Sequence, residues 1–72
     1  MTTYALDRND YLRPREVEIV RLYAQGYNYK EIAHQLGLKP ESIHRYTYNA
    51  QMRLGANVFT LVYQAHKIGI IQ

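Results

Sequence analysis

The placement of glycine constrains this chain more than any other feature. Each of its four glycines, Gly26, Gly37, Gly55 and Gly69, follows a stretch in which apolar residues recur at helical intervals. Glycine takes the left-handed backbone of a helix C-cap at little steric cost, so such a pattern reads as a series of helix stops. The two prolines, Pro14 and Pro40, stand where a first helical turn accepts them. The chain is therefore predicted to form four helices, at about 14–25, 29–36, 40–53 and 58–67, joined by short turns. No stretch carries a strand signal, and the expected fold class is all-α.

The helical spacing also assigns faces. In helix one Glu16, Ile19, Val20, Tyr23 and Ala24 fall inward, and Val17 and Leu22 fall off that face. Helix two opens on Asn28, a good N-cap, with Glu31 three residues on completing a capping-box pair. Its apolar positions are Ile32, Ala33 and Leu36. Helix three turns Ile43, Thr47, Ala50 and Leu54 inward. Asn57 is the expected cap of helix four, which turns Leu61, Val62, Ala65 and Ile68 inward. Residues 1–11 are polar and unpatterned and read as a flexible arm, leaving 12–72 as the folded domain.

A chain of 72 residues without cysteine has neither disulfides nor thiolate metal sites to staple it. A domain of this size buries only about 60% of its unfolded surface and often leans on a partner. No apolar run approaches the roughly 20 residues of a membrane span, and the N-terminus lacks the pattern of a secretory signal. A cytoplasmic, nucleoid-associated protein with no membrane partner is the expectation. The net charge of +3 is unevenly placed. Acids and bases balance through residue 38, whereas Lys39, Arg45, Arg53 and Lys67 face Glu41 alone in the remainder. A one-sided basic surface suits a polyanion.

The outer face of helix three, "ESIHRYTYNAQMRLG", is unusual. Opposite its apolar stripe stand Glu41, His44, Arg45, Tyr48 and Met52, where a plain solvated face would carry Glu, Lys and Gln. Two helices joined by a tight glycine turn, the second with such a face, form a helix-turn-helix pattern, whose second helix enters the major groove of double-stranded DNA. Arg45 suits the O6 and N7 of guanine, and His44 and Tyr48 can donate or accept. Glu41, His44, Arg45 and Tyr48 are the candidate base contacts. Lys39, Ser42, Asn49 and Arg53 are candidate phosphate contacts. Tyr29 and Lys30 join them, because backbone amides at the start of helix two can hold a phosphate. Tyr46, at the edge of the buried stripe, suits either the core or a phosphate.

Across "LRPREVEIVRLYAQGYNYKEIAHQLGLKPESIHRYTYNAQMRLGA" the chain resembles the LuxR-type (GerE-like) DNA-binding domain of bacterial transcription regulators. The resemblance rests on "PRE" followed by Glu18, then "AQG", "KEIA", "LG", "SI" and "RLGA" in unbroken spacing, and covers residues 12 to about 71. It implies a four-helix domain, helix three in the major groove, and homodimers that meet through helix four on inverted half-sites. With about eleven residues before it, the chain resembles the standalone members, which act through abundance or a partner. It departs from the pattern at Arg13 and Lys39, which replace the usual Ser or Thr caps, and in "GANVFT", a residue shorter than usual. A DNA phosphate beside Lys39 would make that residue tolerable, whereas nothing in the sequence accounts for Arg13.

Phe59, Tyr63 and His66 form a second stripe on helix four, about 100° from its inner face. They are the candidate dimer interface, unless Phe59 folds back beneath the turn before it. Two other functions fit the residues. An interaction protein could use the same fold to bind and block another regulator or RNA polymerase, through Val17, Leu22, Phe59 and Tyr63. A promoter-binding module like region four of a sigma factor would share "YKEIAHQLG" and "RYTYNAQMRL". Catalysis is not expected. Ser42 lacks a His and acid frame, and the single Glu31-x-x-His34 pair is half of what a di-iron site requires. No cofactor and no metal are expected.

Overall fold

The computed structural model describes residues 12–69, so the arm expected at 1–11 lies outside the described residues. Four helices run in the order α1 (Pro14–Ala24), α2 (Tyr29–Leu36), α3 (Pro40–Leu54) and α4 (Leu61–Lys67), with no strand among the described residues. The first three match the expected spans to within one residue. Helix α4 starts three residues later than expected, for a local reason. The Asn57 side chain accepts the Phe59 and Thr60 N–H groups, at 2.8 and 3.0 Å, and closes a turn over residues 58–60. Asparagine competes for backbone donors in this way. Asn57 therefore caps the turn, and Thr60 takes the N-cap position of the helix.

Helices α1 and α3 form the spine. Ile19 of α1, Ile32 and Ala33 of α2 and Ile43 of α3 make one buried cluster, flanked by Leu22, Tyr23, Tyr29, Leu36, Leu38 and Tyr46. Leu12, Val20 of α1, Ala50 of α3, and Leu61 and Ala65 of α4 make a second, flanked by Val17, Leu54, Val62 and Ile68. The first half of α3 is thus held against α2, and its second half against α4. Val17 and Leu22 are half-buried core neighbours, not free apolar surface, and Ala24 is exposed instead of inward. The one-residue imprecision of helical phase near a helix end accounts for Ala24. Tyr23 and Tyr46 both pack at the margin of the first cluster, where the Thr47 hydroxyl donates to the Tyr23 oxygen at 3.4 Å.

The turn between α2 and α3 is three residues long. Gly37 adopts φ 67°, ψ 32°, the left-handed conformation that lets the Leu38 N–H reach back to the Ala33 carbonyl at 2.9 Å. Leu38 then drops against the core, as the hydrophobic partner of such a C-cap.

The start of α1 is explained by a residue in its first turn. Arg13 makes no side-chain cap. Instead the buried Glu16 carboxylate accepts the Arg13 backbone N–H at 3.0 Å, and the same oxygen accepts Arg53 Nη1. One carboxylate thus closes the N-terminus of α1 and ties it to the last turn of α3. Arg53, expected at a phosphate, places its guanidinium Nη1 on this carboxylate while the residue itself stays exposed.

Candidate nucleic-acid interface

Helix α3 begins at Pro40, preceded by Lys39 in extended conformation with no side-chain cap. Its buried positions are Ile43, Thr47 and Ala50. Turning these three inward forces the stripe half a turn away into solvent, where Glu41, His44, Arg45, Tyr48 and Met52 are all exposed. Tyr48 and Met52 keep 59% and 64% of their surface free, an unusual state for large apolar-bodied residues and one that suits contact with a partner. Ser42 and Asn49 lie half-buried on the flanks, and Lys39 is exposed at the helix start.

Helix α2 presents its N-terminus to the same side. Asn28 Oδ1 accepts the Glu31 N–H, and Glu31 Oε1 accepts the Asn28 N–H, both at 2.9 Å. This reciprocal cap is the one expected from sequence, and it occupies the Glu31 carboxylate. Lys30 is exposed next to it, and its Nζ lies 6.0 Å from the centre of the Tyr29 ring. The Tyr29 ring in turn meets the His44 imidazole, with centroids 4.2 Å apart and planes inclined by 41°. In the sequence Tyr29 and His44 carry separate expected roles, one at a phosphate and the other at a base. Their contact depends on how α2 crosses α3, for which the residues carry no local signal.

The described carboxylates are largely spent elsewhere. Glu16 binds Arg53 and the α1 cap, Glu18 pairs with Arg15 at 3.2 Å, and Glu31 serves the α2 cap. That leaves Glu41 as the acid of the α3 stripe, beside Lys39, His44 and Arg45. The surface around α3 is therefore built of donors and aromatic faces, in the balance a polyanion requires. Among the described residues no group of three His, Asp or Glu side chains converges as a metal site, and no helix is long and apolar enough to cross a membrane.

A second exposed surface lies on α4 and the turn before it. Phe59 is 91% exposed, so it does not fold back beneath its turn; Tyr63 and Val58 are 63% and 58% exposed. Because α4 starts late, Phe59 stands on the turn ahead of the helix, and Tyr63 and His66 on the helix itself.

The family model for bacterial regulatory proteins of the luxR family matches residues 10–64. Two relatives are similar over 53 residues at 40% identity: the transcriptional regulatory protein UhpA of Escherichia coli (strain K12) and that of Salmonella typhimurium (strain LT2). The match covers 74% of this chain and 27% of each relative, so the chain spans about a quarter of the length of those proteins. No solved structure matches it significantly. Both relatives are named as regulators, which supports the non-enzyme reading. With the family model spanning α1 to α3 and the four helices in the expected order, the chain belongs to the luxR family of bacterial regulatory proteins, its helix-turn-helix formed by α2, the Gly37–Lys39 turn and α3.

Proposed function

We propose that this chain is a sequence-specific DNA-binding transcription regulator that acts in the cytoplasm, with α3 in the major groove of double-stranded DNA. The observation that carries the reading is the outward face of α3, on which Glu41, His44, Arg45 and Tyr48 are exposed together in a chain of the luxR family. These four meet base edges. Lys39, Ser42 and Asn49 on α3, with Lys30 at the start of α2, meet phosphates, and Tyr29 beside Lys30 serves either a phosphate through its hydroxyl or His44 through its ring. Arg53 leaves the set, because its guanidinium serves Glu16.

Selection of bound duplexes from a random pool tests this and yields the site. On the selected site Arg45→Ala is expected to cost about 1–3 kcal/mol and to relax one base position. Lys30→Ala is expected to weaken all sequences alike and to flatten the salt slope by about one unit. Equal losses for Arg45→Ala on selected and random DNA would show that it reads no base.

The exposed patch of Phe59, Tyr63 and His66 supports the homodimer through the α4 end. A two-fold interface makes such a patch meet itself. Beside it an apolar pocket of about 230 Å³, lined by Tyr23, Thr47, Val58, Leu61 and Val62, has room for an aromatic ring such as Phe59 of a second copy. A patch this small associates weakly in free solution and gains strength on two half-sites about one DNA turn apart. Tyr63→Ala is expected to keep the helical fold and half-site binding while abolishing cooperative binding to the paired site. Sedimentation and two-site titration check this, and unchanged dimerisation would move the interface elsewhere.

The same patch supports a second reading, in which the chain binds and blocks another regulator or RNA polymerase. Val17 and Leu22 do not contribute to it, since both pack against the core. Binding to random duplex DNA that falls steeply with added salt separates the two, because a pure blocker would show little of it.

A further inference from the structure

We propose that Tyr29 is a positioning residue for His44: a side chain of α2 that holds the imidazole of α3 in the orientation from which it reads a base. The proposal rests on α3 being the groove-facing helix. An exposed histidine on a helix surface samples several rotamers, and each must be given up when it binds. His44 is exposed, yet one face of its ring is occupied by Tyr29 at 4.2 Å between centroids, with the planes inclined by 41°. A tilted aromatic pair at this separation is in direct contact, slightly closer than the roughly 4.5–7 Å usual for such pairs.

Tyr29 is well suited to act as a fixed wall. It is half-buried, and its ring also packs against the cluster of Ile19, Ile32, Ala33 and Ile43. It is the first residue of α2, whose start is locked by the reciprocal Asn28–Glu31 cap. His44 follows directly on Ile43, which is fully buried in the same cluster. Both rings are therefore referenced to one rigid core, and the contact between them transmits that rigidity to a side chain that otherwise has none. Lys30 stands at the outer limit of cation–π distance from the Tyr29 ring, 6.0 Å, and contributes charge more than orientation.

The alternative role for Tyr29, donation of its hydroxyl to a phosphate, makes the opposite demand on the side chain. Positioning needs the ring, and phosphate contact needs the oxygen. The test uses the full chain and duplexes selected from a random pool, with Tyr29→Phe, Tyr29→Leu, His44→Ala and the Tyr29→Leu/His44→Ala double variant. The base pair relaxed by His44→Ala defines the position His44 reads. Tyr29→Leu is expected to reduce discrimination at that position roughly three- to tenfold, the size of one aromatic pair's coupling. Affinity for random duplex and the salt slope should stay unchanged. Tyr29→Phe should discriminate within about twofold of the parent, and the double variant should discriminate no worse than His44→Ala alone.

A readout free of DNA accompanies these. The His44 ring-proton resonances should carry a ring-current shift that survives in Tyr29→Phe and is lost in Tyr29→Leu while the domain remains helical. A Tyr29→Leu loss spread equally over all base positions, or a Tyr29→Phe variant as impaired as Tyr29→Leu with a flattened salt slope, would overturn the positioning role and leave groove recognition by α3 intact. No base position relaxed by His44→Ala would overturn the positioning role alone, whereas failure of the parent chain to bind duplex DNA would overturn it together with the reading beneath it.

Discussion

Ile43→Ala is expected to be among the most damaging single substitutions in this chain, lowering the unfolding free energy by about 3–4 kcal/mol. Ile43 is fully buried where α1, α2 and α3 meet. Truncating such a residue costs roughly 2–5 kcal/mol, part lost transfer energy and part the cavity left behind. For a domain of this size the whole stability is about 4–11 kcal/mol, and each kcal/mol moves the melting midpoint by about 4–8 °C. A drop of at least about 12 °C by circular dichroism is the expected result. Ile43→Val removes one methyl group and should cost about 1 kcal/mol, which leaves it folded for DNA titration. A shift of only a few degrees for the alanine variant would mean that the first half of α3 is not close-packed. The consequence for recognition is direct, since His44 and Arg45 are carried by the turn that Ile43 anchors.

Glu16→Ala is expected to cost about 3 kcal/mol. Breaking a buried ion pair from one side costs roughly 3–5 kcal/mol, mostly because a charge is left without its partner. The lower end applies here because the Arg53 side chain keeps 35% of its surface in water, whereas that of Glu16 keeps 2%. The substitution also leaves the Arg13 N–H at the start of α1 without its acceptor. Arg53→Met should be at least as damaging, since it strands the less solvated of the two charges. Replacing both, as Glu16→Leu/Arg53→Met, should recover part of the loss, because a well-packed apolar pair substitutes for a buried ion pair at little net cost. Urea midpoints of the four proteins measure the coupling. Strict additivity of the two single losses would show that the pair is not a coupled unit. The Arg53→Met variant should also keep the full salt slope of DNA binding. A slope lower by about one unit would show that Arg53 reaches a phosphate as well.

The sequence by itself determined those features that depend on neighbours along the chain. Helical periodicity with glycine stops marked out α1, α2 and α3, because each stop is a local backbone event. The Asn28–Glu31 cap was legible for the same reason, since both partners lie within one turn. The outward stripe of α3 followed from the inward one, because a helix that buries Ile43, Thr47 and Ala50 has no choice about where Glu41, His44, Arg45 and Tyr48 go. The unbroken spacing of the family pieces located the helix-turn-helix. What tertiary structure alone decided involves residues far apart in sequence or two local patterns in competition. At Asn57 two local patterns competed, a helix cap and a side-chain-closed turn, and the turn prevailed. Glu16 could be placed inward, but its partner 37 residues on could not be named, so Arg53 looked like one more surface cation. Tyr29 and His44 belong to different helices, and only the crossing of α2 over α3 brings their rings to 4.2 Å. A charge or a ring shows its type in the sequence, whereas its partner is set by the angle at which two helices pack, which is a property of the whole core.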